Sequence, residues 1–479
     1  MNMSNPPKPR QKILIQRADR LGDMILALPV ITALQQAYPQ AEIHVLTSAI
    51  GAEVLKLDDR VHRVWILDWS AKPWMSRFWE WVHEIRAQRY DLYVSLWNDP
   101  WMAWLGYLAR IPVRLGDSTN VSLGWLYTHP VRQHWEDFCR HQVEFNLDLL
   151  APLRVDVETP SAGLVLAEPL LTKAKGMLAH FFKEEQPVVV FFWGTGGSNI
   201  PIPEAVATEF LNRLAHEKTV NVVVLGQAAE VPVFHPLVLN LVNQTTFPEL
   251  AGFVSACDVY IGSDTGPTHL AAALQKPILF FSPLKVNAPS RWGPITPYFE
   301  ILRKDYACSA HLTPDLCTAA CQTWLTTEVL SLAFSNLVNR LQEPPKSYAD
   351  IRQAHWLAAI RVVVVVKTIK EFMYVERVAS AAKKEGLIVF PFLYSGFWSL
   401  PILIRYLLQR NATVIQSTHL SGLWVSLIRF WIGAVRKTYP PVLVSVPFQH
   451  YVAASDYLSV YRAAFAQIPF FNRFRDGDE

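Results

Sequence analysis

The 479-residue chain has few charged residues, since Asp, Glu, Lys and Arg make up only 18% of it against 51% hydrophobic residues. A disordered chain has the opposite balance, so this composition excludes intrinsic disorder and predicts several packed cores. The formal net charge of +3 is too small to indicate a nucleic-acid-binding protein, although it suits contact with anionic lipid or phosphate. At this length we expect two or three domains.

Cysteine is also scarce, with five scattered residues: Cys139, Cys257, Cys308, Cys317 and Cys321. An odd, scattered set does not form a disulfide framework. The last three could be metal ligands, but a fourth ligand with suitable spacing is missing, and we expect no metal site. The N-terminal segment 1–11 contains no apolar signal region, which predicts a cytosolic, reducing compartment.

The sequence is rich in alternating strand-like and helix-like segments. Lys12–Gln16 and Glu42–Leu46 are short apolar runs, and the segment between them has apolar residues at helical spacing up to Pro39. This is the pattern of a βαβ unit, which predicts a parallel sheet. Further strands are predicted at Val64–Leu67 and Leu92–Leu96.

A second α/β block begins near residue 187. It is predicted to contain the strands Val188–Phe192, Asn221–Leu225, Val259–Ile261 and Ile278–Phe281 and the helices Glu204–His216, Phe247–Ala256 and Pro267–Leu274. Prolines interrupt the pattern between residues 151 and 187, where we expect the domain boundary. The chain is therefore divided into a tail at 1–11, an acceptor-binding domain at 12–160, a donor-binding domain at 180–341 and a C-terminal unit at 347–479.

The loop after the first strand, RADRLGD at 17–23, combines charged side chains with a glycine at a helix start. Ligands of open α/β sheets bind where such loops meet helix N-termini. Gly22 would let the backbone turn tightly into the helix, and Asp23 would lie in its first turn. The spacing alone favours a simpler interpretation, in which Asp23 only starts the helix and Arg17 and Arg20 are its solvated partners.

The second loop, GSDTGPTH at 262–269, follows a predicted strand and opens an Ala-rich helix. The N–H groups at such a helix start bind phosphate well. A carboxylate beside phosphate would repel it, so Asp264 fits better as a ligand of a sugar hydroxyl while the N–H groups hold a diphosphate. From the residues alone, a plain strand–helix turn capped by Asp264 or Thr265 is as good an interpretation as a ligand site.

Together the two loops resemble the heptosyltransferase family, glycosyltransferase family 9. The segments that carry the resemblance are RADRLGDMILALPVITALQQAYPQAEIHVL, from Arg17, and DVYIGSDTGPTHLAAALQKPILFFSP, from Asp258. Weaker support comes from segments 114–117, 141–153 and 222–230, and the resemblance covers roughly residues 12–335. It implies an α/β chain of the GT-B fold, with two facing Rossmann-like, doubly wound parallel sheets plus an appended C-terminal unit.

The resemblance also implies roles for individual residues. Asp23 would be the general base that deprotonates the acceptor hydroxyl, which gives direct attack and inversion. The family's substrate-binding positions correspond here to Arg17, Arg20, Gly22, Thr195, Ser198, Glu230, Asp264, Thr265, Gly266 and His269. Glu230 would lie near the donor's nucleoside, and His269 is expected to pack or support rather than catalyse. No metal or cofactor is implied.

One position departs from the family pattern. Family members commonly carry a Lys before a Trp-Pro pair in the loop after the first strand of the second domain, where it contacts the donor phosphates. Here Ile200 stands in place of that Lys, and Ile202 stands in place of the Trp. Either Arg291 or another cation takes over this role, or donor binding is altered or lost.

The last third of the sequence has three interpretations. Leu387–Ile404 is an uncharged run of membrane-spanning length, but it contains two prolines and a glycine. The segment His419–Val435 has apolar and basic residues in the pattern of an interfacial helix, including Trp424 and Trp431. A buried α/β structure, an interfacial contact and a true span therefore remain open.

From these observations we expect an inverting glycosyltransferase that moves a heptose from ADP-heptose to lipopolysaccharide core or a related surface glycan. Its partners would be the nucleotide sugar and a glycolipid acceptor, without nucleic acid, and it would work in the cytoplasm with peripheral contact at the inner face of the membrane. A different nucleotide sugar is the alternative within the enzyme class. A catalytically silent glycan- or nucleotide-binding protein is the alternative outside it.

Overall fold

Three parallel β-sheets make up the computed structural model of the chain, and helices pack on the first two. The described residues are 12–68, 74–119, 122–133, 140–155, 157, 160, 162–197, 199–283, 289–303, 324–359, 361–366, 388–393, 403, 407, 414–416 and 442–444. Cys139, Cys308, Cys317 and Cys321 lie outside them.

The first sheet has six parallel strands in the order β3-β2-β1-β4-β5-β6. The strands are β1 Lys12–Arg17, β2 Glu42–Thr47, β3 Arg63–Ile66, β4 Leu92–Ser95, β5 Val113–Asp117 and β6 His129–Val131. Its helices are α1 Leu21–Ile25, α2 Leu28–Ala37, α3 Ala49–Leu55, α4 Trp74–Ala87, α5 Pro100–Leu108 and α6 Gln142–Asp148. The central strand β1 is fully buried at Ile13, Leu14 and Ile15, because helices cover both faces of the sheet.

The helix predicted before Pro39 is two helices in the structure. α1 ends at Ile25, and α2 begins at Leu28 with Pro29 in its first turn. Proline has no N–H and its ring would clash with the carbonyl of Ile25, so one continuous helix cannot form here. The break leaves α1 as a short helix that carries Gly22 and Asp23.

The second sheet repeats the pattern in the order β12-β11-β10-β7-β8-β9. Its strands are β7 Val188–Trp193, β8 Asn221–Gly226, β9 Leu239–Asn240, β10 Val259–Ser263, β11 Ile278–Phe281 and β12 Phe299–Leu302. Its helices are α7 Glu168–Phe181, α8 Glu204–Glu217, α9 Phe247–Ala256, α10 Gly266–Ala273, α11 Pro289–Trp292 and α12 Thr327–Arg340. The strands and helices predicted for this block are confirmed.

A third, four-stranded parallel sheet follows, in the order β14-β13-β15-β16. Its strands are β13 Arg361–Val366, β14 Ile388–Leu393, β15 Val414–Gln416 and β16 Val442–Val444. The interpretation of residues 387–404 as a membrane-spanning helix is therefore wrong, because β14 pairs with β13 from Ile388 onwards. Within the described ranges, no helix has both the length and the hydropathy to cross a bilayer. The helix predicted at 419–435 lies outside the described residues.

A helix between the second and third sheets, α13 Tyr348–Ala359, packs back onto the first domain. Arg352 forms a buried ion pair with Glu144 of α6, with 2.9 Å between Nε and Oε1. The Tyr348 hydroxyl donates to the same carboxylate at 2.8 Å. The predicted C-terminal unit thus begins with a helix that is fastened to the first domain, while the domain boundaries themselves stay a prediction.

Candidate functional site

A cleft of about 550 Å³ lies between the carboxyl ends of the first two sheets. Residues from both domains line it: Asp19, Arg20, Leu21, Gly22, Asp23, Ile50 and Glu53 on one side, and Phe192, Trp193, Thr195, Gly196, Gly226, Gln227, Thr245, Phe247, Leu250, Asp264, Thr265, Gly266, Pro267, His269 and Trp292 on the other. The two loops singled out in the sequence therefore meet in one cavity, as expected for parallel sheets whose active edges face each other.

Arg17, the last residue of β1, fixes the charges of the first loop. Its guanidinium donates from Nε to Asp19 Oδ1 at 2.8 Å and from Nη2 to Asp23 Oδ1 at 2.6 Å. A third bond runs from Nη1 to the backbone oxygen of Leu96 at 2.6 Å. Arg17 is only 5% exposed, so it is a buried support for two carboxylates rather than a solvated partner.

Asp19 is a cleft residue that the sequence analysis missed. Burial raises the pKa of its carboxyl to about 6, Arg17 opposes that rise, and the neighbouring Asp23 adds to it. The sequence did contain a signal, because Asp19 stands two residues after Arg17, at the end of a buried strand and within the loop already selected. Its pairing with Arg17 was not evident, because only the folded loop turns both carboxylates towards one guanidinium.

The second loop places a buried carboxylate beside an imidazole. Asp264 is 6% exposed, and its Oδ1 lies 3.5 Å from His269 Nε2. Burial raises the pKa of Asp264, while the contact with His269 opposes the rise. His269 Nδ1 is buried and has no hydrogen-bond partner among the described residues. The pair is thus held within the wall of the cleft.

The N-terminus of α10 is not capped by a side chain. Thr265 occupies the cap position, but its hydroxyl donates instead to the backbone oxygen of Ser263 at 3.3 Å. The loop is the expected strand–helix turn, but the side-chain cap that the sequence suggested there is wrong. Pro267 has no N–H, and the N–H of Thr268 already donates to the backbone oxygen of Thr265 at 3.1 Å. The N–H of Gly266 is therefore the group at the start of α10 that can bind a ligand in the cleft, where the helix dipole favours an anion.

Two glycines let the loops touch across the cleft. A Cβ added to Gly22 would lie 2.9 Å from His269 Cδ2 and 3.5 Å from the Cα of Gly266. A Cβ added to Gly266 would lie 2.6 Å from Leu21 Cδ2. Both positions therefore need glycine because it leaves space between α1 and α10, and for Gly22 this replaces the tight turn that the sequence suggested.

The remaining predicted residues are distributed differently. Thr195 lines the cleft, and its hydroxyl donates to the backbone oxygen of Asn199 at 2.8 Å. Arg20 lines it as an exposed side chain. Glu230 is exposed after β8 and is not among the residues that line the cleft. Ser198 lies outside the described residues.

The lysine expected from the family pattern has no direct substitute at Arg291. Ile200 and Ile202 are core residues, 4% and 5% exposed. The Arg291 guanidinium lies over the Phe145 ring, 4.3 Å from its centroid, and Arg291 is not among the residues that line the cleft. The prediction that Arg291 takes over the role of the lysine is therefore wrong. Among the described residues that line the cleft, Arg20 is the sole arginine or lysine. Across the described residues, no three His, Cys, Asp or Glu side chains are grouped to hold a metal ion.

Comparison with known proteins gives consistent results. The sequence profile of glycosyltransferase family 9 (heptosyltransferase) matches residues 78–318, just over half of the chain. Lipopolysaccharide heptosyltransferase 3 of Escherichia coli is 27% identical over 284 residues, which cover 54% of this chain and 79% of that protein.

Solved structures agree with the fold. A family 9 glycosyltransferase from Veillonella parvula has a TM-score of 0.57 at 17% identity, covering 69% of this chain and 97% of that one. The ADP-heptose lipopolysaccharide heptosyltransferase II of Escherichia coli has a TM-score of 0.56 at 19% identity, covering 69% of this chain and all (100%) of that one. The predicted GT-B fold, with two facing Rossmann-like sheets, is confirmed.

Proposed function

Because the chain belongs to glycosyltransferase family 9, the heptosyltransferases, we propose that it transfers a heptose from ADP-heptose to lipopolysaccharide core or a related surface glycan. The observation that carries this proposal is the pairing, in one cleft, of the Arg17–Asp23 ion pair with the uncapped N-terminus of α10. One side offers a positioned base, and the other offers a helix N-terminus whose dipole favours an anion such as a diphosphate. The structural relative from Escherichia coli is an ADP-heptose lipopolysaccharide heptosyltransferase, which supports this donor.

On the acceptor side, Asp23 acts as the general base. Its carboxylate accepts the proton of the acceptor hydroxyl as that oxygen attacks the anomeric carbon of the donor. The new carbon–oxygen bond forms on the face opposite the breaking bond to the diphosphate, so the configuration inverts and ADP leaves. The ion pair with Arg17 keeps one orientation of Asp23 and leaves its second oxygen, Oδ2, for the acceptor.

For the donor, the N–H of Gly266 at the start of α10 and the guanidinium of Arg20, on the opposite wall of the cleft, bind the diphosphate. Both stabilise the negative charge that develops on the leaving group. Asp264 accepts a hydrogen bond from a sugar hydroxyl, and His269 holds Asp264 in place. Thr195 lies on the same wall and adds a hydroxyl to the donor pocket. The reaction needs no metal in this scheme.

A second nucleotide sugar stays a candidate for one specific reason. Ile200 replaces the family's phosphate-binding lysine and is buried, so the phosphate contacts of this chain differ from the common pattern. A changed phosphate site fits a different donor, or binding without turnover. Purified protein should therefore be tested with a panel of nucleotide sugars, with release of the nucleoside diphosphate as the readout.

The decisive test is Asp23→Asn. Loss of the base should lower kcat by roughly 10²–10⁴-fold and leave ADP affinity, measured by calorimetry, nearly unchanged. Asp59→Asn, an exposed aspartate of the same domain, is the control and should match the wild type. A rate within threefold of wild type for Asp23→Asn would remove Asp23 from the mechanism. ADP binding by a wild type that turns over no donor would favour the silent protein.

A further inference from the structure

We propose that an exposed aromatic surface on the first domain docks the protein on an anionic lipid bilayer, beside the acceptor side of the cleft. This surface, called here the aromatic face, consists of Met75, Trp79, Trp101, Tyr107 and Trp125. They are 45%, 47%, 36%, 40% and 58% exposed, respectively. They lie on α4, α5 and the single turn Gly124–Leu126. Contiguous apolar side chains of this size on a surface mark an interaction site.

Edge-to-face ring contacts hold the rings of the aromatic face in two groups, which α5 connects because it carries both Trp101 and Tyr107. The Trp125 ring centroid lies 5.4 Å from that of Tyr107 and 5.6 Å from that of Trp104. At the other end, Phe78 lies 5.2 Å from Trp101 and 6.1 Å from Trp79. Because each of these rings packs against another, the exposed indoles are already ordered before a partner binds, which reduces the entropy lost on binding.

The charges around the aromatic face are those that suit an anionic partner. From Pro100 to Gln133 the sequence contains Arg110, Arg114 and Arg132 but a single carboxylate, Asp117. Asp117 is 5% exposed and accepts hydrogen bonds from Thr119 and Asn98. Within this stretch of the sequence, the three arginines are therefore not accompanied by an exposed carboxylate.

Arg114 links the charge to the rings, since its guanidinium lies 5.5 Å from the Tyr107 centroid. On α4, Glu80 and Glu84 are already paired with Arg77, at 2.7 and 3.9 Å. Tryptophan and tyrosine prefer the boundary between headgroups and acyl chains, and arginines add attraction to anionic headgroups.

This pattern argues against a second copy of the chain. A two-fold dimer through the aromatic face would bring together Arg110, Arg114 and Arg132 of both copies, while the exposed carboxylates of α4, Glu80 and Glu84, are already paired with Arg77. Like charges would then outnumber opposite ones, and like charges repel in such a contact. An anionic bilayer instead neutralises these charges and takes up the indole rings. We therefore commit to a lipid surface as the partner.

The aromatic face begins at the catalytic edge of the first sheet. Arg17, which holds Asp23, donates to the backbone oxygen of Leu96, and the same loop runs through Trp97 into α5. Asp99 caps α5 by accepting from the N–H of Trp101 at 2.9 Å, which sets Trp101 in the first turn of the helix. A bilayer on this face would present a lipid-linked acceptor directly to Asp23. This consequence rests on the proposed function, whereas the docking itself does not.

Vesicle co-sedimentation of the full chain tests the proposal. Wild type should bind vesicles of phosphatidylcholine with phosphatidylglycerol, and bind pure phosphatidylcholine more weakly. Trp101→Ser with Trp125→Ser should lower the partition coefficient at least about tenfold on both lipids. Arg110→Gln with Arg132→Gln should lower it about fivefold per arginine, on the anionic vesicles only and at low salt.

The control replaces two exposed apolar residues outside the aromatic face, Val233→Ser with Leu332→Ser, which are 86% and 64% exposed. It should bind like the wild type, and melting temperatures verify that every variant folds. Wild type that binds neither vesicle, or a tryptophan variant that binds like the control, would overturn the proposal. Sedimentation velocity that shows self-association abolished by the tryptophan pair, with vesicle binding unchanged, would assign the face to a second copy.

Activity on an acceptor glycan without lipid separates this proposal from the proposed function. The tryptophan pair should keep wild-type turnover on that soluble acceptor and lose turnover only on the vesicle-bound acceptor. If Asp23→Asn stays active while the tryptophan pair loses vesicle binding, the docking surface stands and the mechanism falls. Equal loss by the tryptophan pair on both acceptors would overturn a docking role.

Discussion

Arg17 determines the charge balance of the first loop. One guanidinium contacts two carboxylates, so the three groups carry a net negative charge in a site largely shielded from water. Burial is the main reason that the pKa of Asp19 rises to about 6, Arg17 counteracts it, and the charge of Asp23 adds to it. Asp19 therefore changes its charge within the range of ordinary assays, and the grip of Arg17 on Asp23 changes with it.

The first prediction concerns Asp19→Asn and the pH profile. As pH falls through about 6, Asp19 gains a proton, and Asp23 is then the charged carboxylate of this pair that still contacts Arg17. The undivided guanidinium holds the Asp23 carboxylate more tightly and weakens it as a base, so kcat/KM of the wild type should fall on the acid side. Asparagine is neutral at every pH. At pH 8 the variant should therefore be about three- to tenfold slower than wild type. Its pH profile should show no fall in kcat/KM near pH 6.

Asp59→Asn serves as the control, because this aspartate is exposed and lies in the same domain. It should keep both the wild-type maximum and the acid limb. A limb near pH 6 that survives Asp19→Asn would assign the titration to another group.

At this scale the sequence predicted the positions of charge but not their pairing. Asp23 and Asp264 were selected because carboxylates in loops after parallel strands face the ligand edge, and both line the cleft. Asp19 was missed, since nothing in RADRLGD tells which side chains share one guanidinium. Glu230 was carried over from a motif match, and the chain after β8 turns it to the surface.

At the scale of elements, the contact between α1 and α10 holds the two domains at the cleft. Gly22 and Gly266 face each other there, and the side chains of Leu21 and His269 fill the space on either side. Strands and helices of both sheets were predictable because apolar runs and helical spacing directly reflect burial. The break between α1 and α2 followed from Pro29, yet the apolar spacing runs through the break and hid it.

The second prediction compares two glycine-to-alanine changes in helices. Gly22→Ala would place a Cβ 2.9 Å from His269 Cδ2, which forces α1 away from α10 and should lower activity by about tenfold or more. Gly176→Ala in α7 meets nothing within 4 Å and should raise stability by about 0.5–1 kcal/mol through helix propensity. Melting temperature and turnover of both variants are the measurements. Equal stabilisation by the two changes would show that the contact between the loops is loose.

The whole molecule depends on how α13 joins its parts. This helix leaves the second domain, crosses to the first and leads into the third sheet. His141 belongs to the same buried cluster, since its Nε2 lies 2.9 Å from the oxygen of Gly293 and its backbone N–H donates to Glu144 at 2.6 Å. The sequence could not predict this connection, because the Arg352–Glu144 pair joins residues 208 positions apart. It did predict the appended unit, and one of its three interpretations, an α/β structure, agrees with the third sheet.

The last prediction tests that connection with two arginine replacements. Arg352→Met leaves the carboxylate of Glu144 buried without its cation, which should cost about 3–5 kcal/mol. Arg213→Met breaks the pair with Glu217, in which the two side chains are 58% and 48% exposed, and should cost less than about 1 kcal/mol. Urea unfolding followed by tryptophan fluorescence gives both values. The double variant Glu144→Gln with Arg352→Met should recover part of the loss, because no charge is then left unpaired. If Arg352→Met costs no more than Arg213→Met, then apolar packing alone fastens α13 to the first domain.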